Sequence, residues 1–333
     1  MNPGKIAFYR PFTSTSAKEY LLDACGPENS LFSGKYHQRC SEFIRCKYGC
    51  EEMVLTSSCT DALTMASLIL GLKQDDEVII PAYTFTSVAN VFANRGIKIR
   101  LADSQADHPN MDPDSFSSLI GPATKAVVFM SYGGQSPGIE QVAEIAKRHK
   151  LYVIEDAAHS FDSLHKNKYV GTFGDLGAFS FHETKSVSCG QGGLLMVNNR
   201  ALADKVTSIR DHGTNRRQFL EGRANEYHWT SPGGEFNLPE LSAALLHSQF
   251  RHEAVNKTQR KRLWDHYYDS LLPFSGGRFE LPPIGDPGSN FYIFYLVLQD
   301  REMRKALIAY MKDQGIDAAF HYTGLHHSPF FKM

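Results

Sequence analysis

Short apolar runs alternate with longer amphipathic ones from about residue 50 to 160. Met53-Val54-Leu55-Thr56, Val78-Ile79-Ile80, Ile97 to Ala102, Lys125 to Ser131 and Leu151 to Ile154 each predict a strand. Helical spacing of apolar positions predicts helices over 61–72, 84–95, 113–120 and 138–150, the third capped by Asp112 with Pro113 in its first turn. Strands apolar on both faces, separated by helices, imply a parallel sheet covered on each side. Beyond residue 160 the rhythm changes. Leu176 to Phe181 and Gly193 to Val197 read as two strands joined by a short loop, and 200–211 resumes a helix. Residues 213–234 show no clear period. Residues 238–272 predict one long helix, 273–288 a Pro- and Gly-rich loop, 291–298 a strand, 301–314 a helix, and 316–321 the start of another strand. The expected division is a large unit over 1–237 and, over 238–333, a connecting helix with a smaller α+β unit.

Lys and Arg total 35 against 36 Asp and Glu, a formal charge of −1 over 333 residues. That balance excludes a nucleic-acid binder driven by phosphate contacts and a solvated acidic disordered chain. No apolar run reaches the ~18 residues of a membrane span, and the N-terminus lacks an apolar signal core. The six cysteines form no CxxC pair. Cys40, Cys46 and Cys50 lie near His37, but their spacing suits zinc poorly, so no metal is expected and the thiols are read as free in a reducing cytoplasm.

Three segments carry candidate chemistry. Lys185 lies in the short Gly-containing loop between two apolar strands, where partial desolvation would lower its pKa and favour Schiff-base chemistry. Glu155-Asp156-Ala157-Ala158-His159 follows an apolar strand, at the edge where open α/β sheets bind ligands. Thr56-Ser57-Ser58-Cys59-Thr60 joins a strand to a helix and could hold an anion on free backbone amides. Taken singly, the last two serve equally well as helix caps. In this order the three suit an enzyme of pyridoxal phosphate. A nicotinamide dehydrogenase would need a glycine fingerprint that is missing.

These segments, with Asp76 to Phe85, Phe179 to Lys185, Gly192-Gly193 and His212 to Arg216, resemble the DegT/DnrJ/EryC/StrS family of sugar aminotransferases over nearly the whole chain. The resemblance implies an α/β fold, that of fold type I pyridoxal-phosphate enzymes (aspartate aminotransferase-like), with a large, mostly parallel mixed sheet. It implies pyridoxal 5'-phosphate, alternating with its amine form, as cofactor. Lys185 would join it covalently and move protons, and Asp156 would face its ring nitrogen. Phe85 would stack on the ring, with Tyr83 as neighbouring candidate, and His159 would lie beside it. Cys59 (through its backbone), Thr60 and Ser180 would hold the phosphate, and Asn237 would reach it from the other subunit of a homodimer. Arg216, His321 and His326 would bind substrate, although surface arginine and plain packing remain open for them. The implied reaction moves an amino group from glutamate to a nucleotide-linked 4-keto-6-deoxy sugar, expected to be the dTDP sugar, for surface polysaccharide. Amination at C3 and a non-catalytic relative are the alternatives; a dehydratase of the family would carry His in place of Lys185. Family members run some tens of residues past His321-Tyr322, so part of the smaller unit is expected to be missing, with cofactor binding retained.

Overall fold

The computed structural model describes residues 4–332. Two helices, α1 (Ala17–Ala24) and α2 (Lys35–Tyr48), precede the first strand. Then follow β1 (Glu52–Thr56), α3 (Cys59–Ile69), β2 (Glu77–Pro81), α4 (Thr86–Ala93), β3 (Lys98–Ala102), α5 (Pro113–Ser118), β4 (Thr124–Met130), α6 (Ile139–Arg148) and β5 (Tyr152–Asp156). A small hairpin, β6 (Leu164–His165) with β7 (Lys168–Tyr169), leads to β8 (Leu176–Ser180) and β9 (Gly193–Val197). The strands combine into a seven-stranded sheet of order β1-β9-β8-β5-β4-β2-β3, in which β9 runs opposite to the other six strands. Both faces are covered. Ile80, Val128, Ile154 and Ala178 pack under α3 and α4, and Val127, Phe129 and Val153 pack under α5 and α6. Continuous apolar strands were thus a sound guide to a buried parallel sheet. Asp112 caps α5 by accepting from the Asp114 amide, as its sequence position predicts.

The second half departs further from expectation. Within 213–234 a short helix, α8 (Arg216–Leu220), follows α7 (Ala203–Arg210). The long helix expected over 238–272 is two, α9 (Glu240–Phe250) and α10 (Glu253–Leu271), because His252 leaves helical geometry (φ −117°, ψ 3°). Beyond them lie β10 (Phe279–Glu280), β11 (Val297–Leu298) and α11 (Arg301–Asp313). The strand expected over 291–298 is confined to its last two residues, which pair with β10. The preceding backbone has other partners. Phe291 is left-handed (φ 52°), and the Trp264 indole on α10 donates to the Ile293 carbonyl at 3.2 Å. Likewise 316–321 forms no ladder. A single bridge, Ile6 to Ile316, ties it to the N-terminal segment.

One buried carboxylate, Glu240, joins the N-terminal helices to this half. Helix α2 begins at Gly34, which has no capping side chain. Glu240, in the first turn of α9 and fully buried, accepts from the amides of Gly34 (2.8 Å), Tyr36 (2.7 Å) and His37 (3.1 Å) and from the Asn29 side chain (3.1 Å). It satisfies the free donors and complements the helix dipole from about 200 residues away in sequence. Glu240→Gln would turn one acceptor oxygen into a donor facing amides. It is expected to lower unfolding free energy by about 2 kcal/mol, read as a smaller urea midpoint at unchanged slope.

Candidate active site

All the parallel strands end at the same edge of the sheet, and the expected cofactor residues on β5, α3 and the β8–β9 loop lie at that edge. Strand alternation separates the two acids of Glu155-Asp156. Glu155 points to one face, fully buried, accepting from the amides of Gly171 (2.8 Å), Gly174 (2.6 Å) and Phe173; burial pushes its pKa up to about 7 against the pull of these donors. Asp156 points to the other, where among the described residues it accepts only from the Ala158 amide, at 3.1 Å. Burial raises the Asp156 carboxyl, opposed by that amide and by the charge of Lys185.

Lys185 sits in the loop between β8 and β9. Burial lowers its pKa, and the Cys59 sulfur and Asp156 carboxylate partly restore it. The loop is closed by Phe181 N–H to the Gly192 carbonyl and Glu183 N–H to the Gly190 carbonyl, both 2.8 Å. The carbonyls on either side of the lysine are pinned from the second half of the chain. The Tyr292 hydroxyl donates to Thr184 at 2.9 Å, and the Arg260 guanidinium on α10 donates to Ser186 at 3.3 Å. The Lys185 ammonium lies 5.6 Å from the Tyr292 ring centre. Neither Tyr292 nor Arg260 was a sequence candidate.

Cys59 and Thr60 open α3, where the first amides of a helix have no acceptor of their own. Ser58 caps the helix by accepting from the Asp61 amide at 3.0 Å. This turn lies hard against the start of β9. A Cβ added at Gly193 would collide with Ser58 and stand 2.6 Å from the Cys59 nitrogen, so glycine is required there. Burial holds the Cys59 thiol well above its ordinary pKa, against a role as nucleophile. Ser180, buried at the end of β8, accepts weakly from the His182 amide at 3.4 Å.

Aromatic and imidazole rings wall the opposite side. Phe85, just before α4, leaves 56 % of its surface open despite its apolar ring. His159 is buried and held neutral by burial and by the charges of Lys185 and His321. His321 accepts a hydrogen bond from Tyr83 at its carbonyl (2.7 Å) and meets the Tyr132 hydroxyl through Nδ1 (3.0 Å). Tyr322 packs between Tyr83 and Phe85, at ring distances of 5.3 and 6.2 Å. Tyr132 and Tyr322, like Tyr292, come from distant segments and carry no local signal. The Leu325 amide donates to the Ala82 carbonyl at 2.8 Å, fastening this segment to the end of β2.

Three expected site residues stand apart from the rings around Lys185, Asn237 beside the Thr56–Thr60 turn and the other two on the surface. Asn237 bridges Thr56 at the end of β1, and its side chain is tied to Glu235 at 3.0 Å. Arg216 is exposed at the start of α8. His326 is exposed against the ring of His327, 3.9 Å away. Only His321 of the expected substrate residues joins the cluster.

The sequence pattern of the DegT/DnrJ/EryC1/StrS aminotransferase family matches residues 15–333. The spore coat polysaccharide biosynthesis protein SpsC of Bacillus subtilis (strain 168) is 32% identical over 293 residues, 85% of this chain and 75% of that protein. Among solved structures, the aminotransferase TlmJ from Streptoalloteichus hindustanus superposes with a TM-score of 0.90 at 24% identity, covering 98% of this chain and 88% of that one. Helicobacter pylori PseC, an aminotransferase involved in pseudoaminic acid biosynthesis, does so at 0.88 and 24% identity, over 98% and 87%. With the architecture of these aminotransferases and a family match over almost its whole length, the chain belongs to the DegT/DnrJ/EryC1/StrS aminotransferase family.

Proposed function

We propose that this chain is a pyridoxal 5'-phosphate-dependent sugar aminotransferase, taking the amino group of glutamate and giving it to a nucleotide-linked 4-keto-6-deoxy sugar. The observation that carries the reading is the desolvated Lys185 amine lying within electrostatic reach of the buried Asp156 carboxylate, in the loop between β8 and β9. The donor set fits the cofactor. It offers an amine, a carboxylate with one oxygen nearly free, hydroxyls on Thr60 and Ser180, and free helix amides for a phosphate. When bound, pyridoxal phosphate supplies a ring that accepts electrons from the substrate carbon.

Lys185 Nζ, kept closer to neutral by burial, serves as nucleophile and then as the base that moves a proton between carbon positions. Asp156 holds a proton on the ring nitrogen side, where its charge does most in a dry site. Cys59 and Thr60 grip the phosphate with amides and a hydroxyl, and Ser180 adds a second hydroxyl. Phe85 offers an open aromatic face for stacking. The role of SpsC in polysaccharide biosynthesis supports a sugar acceptor. A dTDP sugar with amination at C4 is the acceptor carried over from the sequence resemblance, with Arg216, His321 and His326 as its contacts.

We further propose a cytoplasmic homodimer in which the partner's copy of Asn237 approaches the phosphate, residues 1–237 carry the cofactor and residues 238–333 form the connecting and smaller unit. Exposed apolar residues support a covered face, Trp229 foremost at 80 % exposure, with Phe8, Phe12 and Phe32.

Incubation with pyridoxal phosphate is expected to turn the protein yellow, and glutamate to bleach it. Borohydride reduction should leave the pyridoxyl group on the Lys185 peptide by mass spectrometry. Lys185→Ala should do neither, and a wild-type protein that stays colourless contradicts the proposal. Asp156→Asn is expected to keep the colour but slow bleaching by glutamate roughly a hundredfold or more, measured by stopped-flow absorbance. An unchanged rate would remove Asp156 from the chemistry.

A further inference from the structure

Helix α11 carries three cations in its first turns, Arg301, Arg304 and Lys305. With Ile308 on the same helix and with Ala319 and Phe320 of the following segment, they line an open cleft of about 470 Å³, and no carboxylate is among the residues lining it. The neighbouring acids in sequence are engaged. Asp317 pairs with Lys5 at 2.9 Å, and Asp300 caps the helix by accepting from the Met303 amide at 2.7 Å. Glu302 offsets Lys305 at 2.8 Å, which leaves the charges of Arg301 and Arg304 unbalanced.

Arg304 is held in place by an aromatic ring. Its Cζ lies 4.3 Å from the Phe320 ring centre, so the cation rests against the ring. Its Nε is buried and has no hydrogen-bond partner among the described residues. A donor withdrawn from water without an acceptor is costly, and an anion in the cleft would remove that cost. The Arg304 charge also reaches Tyr83, where it opposes the rise that burial gives the phenol. Tyr83 in turn donates to the carbonyl of His321, the residue after Phe320. The cleft thus lies beside the aromatic wall of the candidate active site.

We propose that this cleft is a nucleotide site in which Arg304, with Arg301 beside it, holds the phosphate groups and Phe320 and Ile308 receive the base. A planar guanidinium fork matches phosphate oxygens, and several cations in one cleft suit a multiply charged anion better than a single carboxylate. The Phe320 ring, 49 % exposed, offers the flat apolar surface that a base needs. The proposal deepens the aminotransferase reading by giving the nucleotide end of the acceptor a place. It rests on that reading only for the sugar that the nucleotide carries.

The test is calorimetric titration of the pyridoxal-phosphate-loaded protein with dTDP, inorganic pyrophosphate and thymidine as probes. The wild type is expected to bind dTDP at least tenfold more tightly than pyrophosphate, and thymidine more weakly than dTDP. Arg304→Gln is expected to weaken dTDP binding roughly tenfold or more. Ala319→Glu, at an exposed position, places a carboxylate in the cleft and is expected to do the same if Arg304→Gln folds poorly. Equal dTDP affinity in the wild type and both variants overturns the proposal, as does a wild type that binds no dTDP. Pyrophosphate binding as tight as that of dTDP overturns the assignment to a nucleotide. Bleaching by glutamate is expected to keep its concentration dependence in Ala319→Glu, and a shift there would give the cleft to the amino donor instead and overturn the proposal. Normal colour and bleaching with unchanged dTDP affinity leave the aminotransferase reading standing. A wild type that takes up no cofactor yet binds dTDP through Arg304 overturns that reading and supports the nucleotide site.

Discussion

The site depends on how the loop carrying Lys185 is held. A lysine between two strands would ordinarily turn its ammonium to water. Here the carbonyls before and after it are drawn to Tyr292 and Arg260, and the side chain is left desolvated within electrostatic reach of Asp156. Desolvation favours the neutral amine while the carboxylate favours the ammonium, and desolvation is the larger. That imbalance favours the neutral amine more than in an ordinary lysine.

The clamp also explains why the second half of the chain matters to chemistry built on the first. Arg260 and Trp264 are on α10, and the carbonyls of Asn290 and Ile293 accept from that helix in place of a sheet ladder, while the Tyr292 hydroxyl donates to the Lys185 loop. Asn290 adds a further tie. Its side chain donates to the His159 carbonyl at 2.7 Å and to that of Phe161 at 3.1 Å, and its own carbonyl accepts from Arg260 at 3.1 Å. One arginine and one asparagine thus couple the lysine loop to the turn after β5.

The sheet and its helices were legible because strands buried on both faces and amphipathic helices leave a periodic record in the local sequence. Lys185, Asp156, Cys59, Thr60 and Ser180 could be named as candidates because they lie in short motifs at a strand end, a helix start or a tight loop, and because those motifs resemble the family's. What was not legible rests on partners far away in sequence. Glu240 reads as an ordinary acid in a first helical turn, and only the fold brings the start of α2 to it. The alternation over 291–298 resembles a strand, yet α10 takes its backbone partners. The joint at His252 is hidden because α9 and α10 are both helical in pattern.

The most direct test of this account is the titration of the Lys185 amine itself, followed by NMR of isotopically labelled lysine in the cofactor-free protein, with Lys185→Arg to assign the signal. The account predicts a midpoint below the 10.5 of an ordinary lysine, and a lower one still in Asp156→Asn, because the carboxylate that favours the ammonium is gone. A midpoint at or above 10.5, or an upward shift on removing the Asp156 charge, would contradict it.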